Sequence, residues 1–250
     1  MIITKDYKMG DAVLHDPKML VVLNRFDIKL GFGDKTIEQI CNEHKINVDF
    51  FIEISNAFHD STYFTENKLQ QFSLELIVSF LYNSHKKYIN KKIPEIEQLI
   101  DSLIYENSSD LKNIKVLKKF FLGYKEELIH HVRHEEAYVY PYVVELEKSI
   151  KIKTINKSLL ERMKSYSASD YKDGHDDVEE KLFDLKNIII KYLPPPKNFD
   201  ACNVILNKLF SLEEDLKNHS EIEERVLIPS AINMENEIKQ LNKLNKIKII

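Results

Sequence analysis

The sequence predicts an all-α fold, an up-down-up-down four-helix bundle with a small helical N-terminal domain. Glycine is scarce, with 5 residues in 250, whereas leucine, isoleucine, lysine and glutamate are abundant, and this composition favours helix over strand. Four long segments carry apolar residues at steps of three and four, the period of a helix with one buried face. The short connections between these segments favour antiparallel neighbours.

Residues 1–60 are predicted to form the small N-terminal unit. Its predicted helices are Pro17–Phe26, Ile37–His44 and Asn47–Phe58. Thr36 and Gln39 form the pattern of a capping box. Helix, turn and helix also occur in DNA-binding domains, but the last of these helices carries Asp49 and Glu53 and no basic residue. Phosphate contacts would be poor, so we expect no specific nucleic-acid binding.

Residues 68–230 are predicted to form the bundle, and residues 231–250 a C-terminal tail helix. The four bundle helices are A (Lys68 through His85, extended by Glu95–Tyr105), B (Leu111–Ile150), C (Asp170–Leu193) and D (Phe199–Leu227). Proline cannot donate a backbone hydrogen bond and clashes with the preceding helical turn. Pro94 is therefore expected to kink helix A, and Pro229 to end helix D.

The sequence also indicates the cellular compartment of the protein and whether it spans a membrane. No apolar N-terminal segment is present, and no run approaches the ~18 apolar residues that span a membrane. Cys41 and Cys202 are the two cysteines, which suits a reducing compartment and provides no disulfide framework. We therefore expect a cytoplasmic protein without a membrane partner.

His131 and Glu135 form the most informative pair of the sequence. On a helix, a spacing of four puts the imidazole and the carboxylate on one face, one turn apart. Both residues interrupt the apolar stripe of helix B instead of lying opposite it. A buried carboxylate needs a cation, a proton or a hydrogen-bond partner.

The same arrangement recurs in helix D, where Glu223 follows His219 by four residues. Pro141 and Pro229 each follow the histidine of their pair by ten residues. One isolated histidine precedes each pair, and it also lies in an apolar stripe. These histidines are His85 and His175. The chain therefore contains a twofold internal repeat.

This joint pattern predicts a metal site. A single histidine in a core stripe is usually a satisfied core residue, but two symmetry-related sets are not independent accidents. The predicted ligands are His85, His131, Glu135, His175, His219 and Glu223. Imidazole and carboxylate suit iron, manganese, zinc or copper. If both glutamates bridge and each of two metals takes two histidines, each metal keeps an open position.

The pattern of histidines, glutamates and prolines resembles the hemerythrin-like bundle. It resembles most closely the di-iron proteins of the repair of iron centres family, over residues 70 to 230. The stretch His85-Lys-Lys-Tyr88 followed by Ile93-Pro94 is similar to the first helix of that family. The resemblance implies two iron ions, oxo- or hydroxo-bridged, held by the six residues named above, with manganese or zinc as substitutes.

The resemblance also implies a function and partners. The implied function is that of a non-haem di-iron protein of the nitrosative or oxidative stress response, with a role in iron–sulfur cluster repair and nitric oxide chemistry. The expected partners are a diatomic ligand, nitric oxide or oxygen, and an iron–sulfur protein client. An oxidoreductase acting on nitric oxide is one form of this function, and a non-catalytic oxygen, nitric oxide or iron sensor or carrier is the alternative. No catalytic residue is assigned.

The N-terminal unit departs from the family pattern. The corresponding domain of the family carries a Cys-Cys-Gly-Gly turn, whereas this chain has Leu30-Gly31-Phe32-Gly33-Asp34 there. Only Cys41 matches a later cysteine of the family. The resemblance therefore does not bring thiol chemistry at that turn to this chain.

Several neighbours of the predicted ligands receive roles of their own. His130 and His134 point off the face of His131 and are expected either at the surface or in contact with a ligand, and not as ligands themselves. Tyr88, Tyr124 and Tyr138 are expected in the core, where one of them could donate to a ligand. Glu136 and Glu224 lie beside the ligands, either along a proton or ion route or on a solvated face.

Overall fold

A computed structural model of the chain describes residues 2–60, 63, 66–104, 110–169, 171, 176–244 and 246–249. In chain order it gives the helices α1 (Met9–His15), α2 (Met19–Arg25), α3 (Ile37–Glu43), α4 (Val48–His59), α5 (Glu66–Leu69), α6 (Leu74–Lys87), α7 (Ile93–Asp101), α8 (Asp110–His134), α9 (Tyr140–Ile152), α10 (Lys157–Ser165), α11 (Asp176–Asn187), α12 (Phe199–Ile222) and α13 (Ile228–Lys243). Two short parallel strands, β1 (Thr154–Ile155) and β2 (Lys248–Ile249), pair with each other. The prediction of an all-α fold is confirmed.

The N-terminal helices α2, α3 and α4 begin and end close to their predicted bounds, whereas α1 was not predicted. The capping box at the start of α3 is present, because Thr36 Oγ1 accepts from the backbone N–H of Gln39 and Gln39 Oε1 accepts from that of Thr36. Asn47 caps α4 by accepting from the backbone N–H of Phe50. Local polar side chains therefore satisfy the helix starts that the sequence predicted.

The N-terminal unit shares one apolar core with one end of the bundle. Phe50, Phe51 and Ile54 of α4 are fully buried, and their core continues through α6, α9 and α13. A second core fills the other end, between α7, α8, α11 and α12. The first core fixes α2 against the bundle, which places Arg25 beside the helices that carry the candidate site.

Four helical rods form the bundle, and neighbouring rods run in opposite directions. The first rod joins α6 to α7, the second α8 to α9, and the fourth α12 to α13. In the first and second rods, α7 packs on α8 and α6 on α9, so the end of one rod meets the start of the next. The third rod, α11 with its following turn, packs on α8 and α12.

Each rod contains a π-helical turn, and each turn begins six residues before a proline. The turns are Tyr88–Lys92, Glu135–Val139, Ile188–Tyr192 and Glu223–Leu227. The prolines are Pro94, Pro141, Pro194 and Pro229. In the last turn, for example, the backbone N–H of Ile228 donates to the carbonyl of Glu223 five residues back. In the first, second and fourth rods the wider turn accommodates the proline ring and its missing N–H, so the rod continues past the proline. The third rod ends at Tyr192, because Leu193 is extended.

The prediction that helix D ends at Pro229 was therefore wrong. Pro229 lies in the first turn of α13, where an absent N–H costs nothing. The chain continues in helix to Lys243, and Ala231, Glu235 and Ile238 of α13 are buried against α9. Among the described residues, no helix has the length and apolar character required to cross a membrane.

Candidate metal centre

The two His–Glu pairs lie where an α-helix passes into a π-helical turn. His131 is in the last turn of α8 and Glu135 opens the next turn; His219 and Glu223 have the same places at the end of α12. Within each pair the side chains leave one face of the rod. His85, in the last turn of α6, points to the same region of the bundle. π-Helical turns are frequent at functional sites, where they re-aim side chains.

Four of the six predicted ligands lie together in the bundle interior. The ligand atoms of His85, Glu135, His219 and Glu223 are all within 4.8 Å of one another. All four residues are buried, and none is more than 3% exposed. The Nε2 atoms of His85 and His219 are 3.1 Å apart. Nitrogen and oxygen donors from three rods thus converge on one small volume.

The carboxylate of Glu135 lies between two histidines from different rods. Its Oε1 is 3.0 Å from Nε2 of His131, and its Oε2 is 3.0 Å from Nε2 of His85. His131 is at the edge of the cluster, with 19% of its side chain exposed. The remaining predicted ligand, His175, lies outside the described residues. A carboxylate with a histidine beside each oxygen is placed so that it could bridge two metal ions, one at each oxygen.

Two buried tyrosine hydroxyls donate to the two carboxylates. Tyr140 Oη donates to Oε1 of Glu223 over 2.6 Å and lies 3.2 Å from Nε2 of His85. Tyr171 Oη donates to Oε1 of Glu135. Burial, followed by the negative charges of Glu223 and Glu135, raises the pKa of Tyr140 and Tyr171 far above the ordinary range. Both phenols therefore remain protonated and act as donors.

Glu136 is the polar partner of His85 on the side away from the cluster. Its Oε1 is 3.1 Å from Nδ1 of His85. An Nδ1–H that donates to a carboxylate leaves the lone pair of Nε2 directed at the cluster, as in histidines that ligate metals. Glu224, the counterpart of Glu136 in the second copy, is exposed. The interpretation of Glu136 as a neighbour with a role is thus favoured by its contact, and that of Glu224 as a solvated residue by its exposure.

The two buried histidines differ in charge. Burial disfavours the imidazolium form of His85, but hydrogen bonds with Glu135 and Glu136 outweigh it and raise the pKa to about 9. Burial dominates at His219 and lowers its pKa, although Glu223 opposes the shift. In the protein without metal, one imidazolium therefore partly compensates the two buried carboxylates. A metal cation bound in the cluster would take over this role and compensate the two carboxylates in place of the imidazolium proton.

A small cavity adjoins the cluster. Its volume is about 20 Å³, and His85, His131 and His219 form part of its wall, together with the apolar Leu128 and Val178. One water-sized molecule requires about 10–15 Å³ of such volume. The cavity thus has room for about one small molecule beside three histidines.

A buried ionic network connects the N-terminal unit to the helices of the cluster. Arg25 of α2 pairs with Asp215 of α12 and donates to the hydroxyl of Tyr88 over 2.8 Å. Lys92 pairs with the other oxygen of Asp215 at 2.5 Å. Asp215 precedes His219 by one helical turn, and the hydroxyl of Tyr88 donates to its backbone carbonyl. The network therefore holds α12 at the level of the cluster.

The family of the chain follows from a match to the Hemerythrin HHE cation binding domain over residues 76–231, well over half of the sequence. The chain belongs to this family. The family implies a metal-binding site in the bundle, and the buried cluster of His85, Glu135, His219 and Glu223 is suited to one. The resemblance to the hemerythrin-like bundle is confirmed.

Curated relatives of this hemerythrin-family chain include the iron-sulfur cluster repair proteins YtfE of Salmonella choleraesuis (strain SC-B67) and Salmonella newport (strain SL254). Each is 21% identical over 230 residues, which cover 91% of this chain and 97% of the relative. The similarity therefore includes the N-terminal unit as well as the bundle.

Reasoning from the sequence missed the tyrosines that contact the site. Tyr88 and Tyr124 are buried as predicted, but the prediction for Tyr138 was wrong, because its side chain is 57% exposed. Tyr140 is buried instead, and its hydroxyl contacts the cluster. It follows Glu135 by five residues, the step of a π-helical turn, whereas the prediction used the α-helical step. The proline six residues after Glu135 was the available signal. His130 and His134 are exposed, as predicted.

Proposed function

We propose that this chain is a non-haem di-iron protein of nitrosative or oxidative stress that takes part in iron–sulfur cluster repair and nitric oxide chemistry. The observation that carries the proposal is the buried cluster of two histidines and two glutamates, with His131 next to it. The proposed ligands are the six that the repeat predicts, namely His85, His131, Glu135, His175, His219 and Glu223.

The donor set supports iron. All donors of the cluster are imidazole nitrogens and carboxylate oxygens, and Cys41 and Cys202 are outside it. Such donors bind iron, and also manganese and zinc, whereas soft ions are selected by thiolate and thioether donors. Two buried carboxylates give the site a charge of −2 when the histidines are neutral, so two divalent ions would leave it at +2. Bound iron would supply redox chemistry and a place for a diatomic ligand.

The residues of the chain give this site its orientation and its protons. Tyr140 and Tyr171 donate to Glu223 and Glu135, which limits rotation of both carboxylates. Glu136 sets the orientation of His85. The partly exposed carboxylate of Glu136 also joins the surface to the cluster, so protons could pass along it to the imidazole.

The relatives support the stress-response part of the proposal. Their printed name is iron-sulfur cluster repair protein, and the match extends over nearly their full length. We infer that an iron–sulfur protein is the client of this chain. The N-terminal unit carries Leu30-Gly31-Phe32-Gly33 in place of a Cys-Cys turn, so its part in such repair would not depend on thiols at that turn.

A non-catalytic sensor or carrier of oxygen, nitric oxide or iron is the second candidate. The small volume of the cavity favours it, because about 20 Å³ beside three histidines has room for one small molecule more readily than for two. Coupling of two nitric oxide molecules would require the cavity to widen or the metals to be reached from another side.

Anaerobic titration of the diferrous protein with nitric oxide separates the two candidates. Optical spectra follow ligand binding, and gas analysis follows nitrous oxide release. Spectral change with nitrous oxide release supports catalysis, whereas a stable adduct without product supports the sensor or carrier. No spectral change in iron-loaded protein would contradict both candidates.

A further inference from the structure

A larger cavity lies where α2 of the N-terminal unit meets the bundle. Its volume is about 400 Å³, and α2, the turn Tyr88–Lys92, α7 and α12 form its walls. This volume is within the ordinary range of about 300–1,000 Å³ for sites that bind small molecules. The cavity is separate from the small one beside the histidines.

The walls of this seam cavity carry an excess of positive charge. Its cationic residues are Arg25, Lys87, Lys91, Lys92 and Lys208, against the carboxylates of Glu95 and Asp215. Lys87 also pairs with Asp27 outside the cavity. Counted with that partner, the excess is two charges in a chain whose net charge is −4. A cationic concavity on an anionic protein concentrates anions.

Arg25 contributes a donor that the protein itself does not use. Its side chain is buried, and its Nη2 donates to Tyr88 and Asp215. Its Nη1 is buried without a hydrogen-bond partner in the described part of the chain. A buried donor without an acceptor is costly, because it has lost its hydrogen bonds to water. Nη1 is closed off from the cavity in this conformation, so a shift of the side chain would have to expose it before the oxygen of an anion could supply the missing acceptor.

The remaining wall is apolar or neutral. Val21, Ile96 and Val204 provide apolar surface, and Asn24, Asn207 and Ser211 provide amide and hydroxyl groups. A bare inorganic anion would leave the apolar part of the wall uncovered. We propose that the seam cavity binds a small organic phosphate, with the phosphate at Arg25, Lys91 and Lys92 and the organic body against the apolar wall.

A phosphate fits better than a single carboxylate because its charge approaches two at neutral pH, which matches the excess of two in the walls. Lysine ammonium groups bind phosphate as point charges, and the guanidinium of Arg25 adds directional donors. The site would therefore favour an ester with one phosphate and a compact body that can enter 400 Å³.

Calorimetric titration of the whole purified chain with phenyl phosphate tests this proposal and requires no metal. The expected result is saturable binding at one site. Lys91→Glu should weaken binding about tenfold or more, because reversal of one nearby charge is worth at least about 1.4 kcal/mol. Lys91 is exposed, so this variant should fold. Lys115→Glu makes the same charge change on an exposed position of α8 and should leave binding within about twofold.

A second variant and two further probes complete the experiment. Val204→Trp, at a partly exposed position of the wall, should block binding without removing a charge. Phenol should not bind, and inorganic phosphate should bind less tightly than phenyl phosphate. The proposal would be overturned by the absence of saturable binding at tens of millimolar, by equal losses in Lys91→Glu and Lys115→Glu, or by equal affinity for inorganic phosphate.

Discussion

Glu135 and Glu223 are 88 residues apart in the sequence, yet their carboxylate oxygens lie within 4.8 Å of each other, and both side chains are fully buried. Each opens a π-helical turn that follows a histidine by one helical turn. Like charges at this separation repel strongly in a protein interior. A cation between or beside them would remove this repulsion, and this is the physical basis for a cation site.

The contact between Glu136 and His85 predicts an effect on metal affinity. Glu136→Gln removes the negative acceptor of the Nδ1–H group, so the ligand nitrogen becomes less basic. We expect metal affinity to fall about 10- to 100-fold, with an unchanged number of ions at saturation. Competition with a chelator of known affinity measures this effect. Glu224→Gln, the matched change at the exposed counterpart, should keep the wild-type affinity, and an equal loss in both variants would contradict the assignment.

The hydroxyl of Tyr140 predicts an effect on stability that depends on metal. In metal-free protein, Tyr140→Phe removes the hydrogen bond to the buried carboxylate of Glu223, so the free energy of unfolding should fall by about 1–3 kcal/mol. Urea unfolding in the presence of chelator measures it. Tyr192→Phe, at an exposed position, is the control and should change it by less than about 0.5 kcal/mol. Equal urea midpoints for wild type and Tyr140→Phe would refute the account.

The order of two variants tests the network at the seam of the N-terminal unit and the bundle. Asp215→Asn leaves Arg25 and Lys92 without their shared carboxylate, and we expect a loss of about 3–5 kcal/mol in unfolding free energy. Arg25→Met leaves Asp215 paired with Lys92 and should cost less, about 1–3 kcal/mol. Denaturant unfolding of both variants gives the order, and the reverse order would be inconsistent with the network described.

Cys41 predicts a loss of stability at alkaline pH. Burial raises the pKa of its thiol from 9.0 to about 12. Between these values the unfolded chain has released the proton while the folded chain keeps it, so the free energy of unfolding falls as pH rises above 9.0. Cys41→Ala lacks this contribution. Relative to that variant, wild type should lose stability by about 1.4 kcal/mol per pH unit in this window. Parallel pH profiles of the two proteins would contradict the prediction.

Much of the bundle could be predicted from the sequence because its apolar stripes keep the helical period over long segments. The pairs His131–Glu135 and His219–Glu223 were equally accessible, since one helical turn separates the partners. The four π-helical turns were not predicted, because a wider turn inserts one residue without changing composition, and the proline six residues after the start of each turn was the only sign of it. Tyr140 was consequently missed, and helix D was wrongly predicted to end at Pro229.

Contacts between distant segments were the other part that the sequence could not provide. Arg25 carries no periodic signal that points to Asp215, and the hydroxyl of Tyr171 reaches Glu135 from a connection between rods. Such pairs depend on how the N-terminal unit and the connections pack on the bundle. That packing follows from the shape of the shared core around Phe50 and Phe51, and a local pattern does not encode it.

The iron content of the purified chain tests the central claim most directly. Elemental analysis of protein prepared anaerobically from iron-replete cells should give about two iron ions per wild-type chain, as six nitrogen and oxygen ligands with two bridging carboxylates predict. Glu135→Ala and Glu223→Ala should each retain fewer than about one ion, because a bridge is lost. One ion per wild-type chain, zinc alone, or unchanged iron content in both variants would contradict the account.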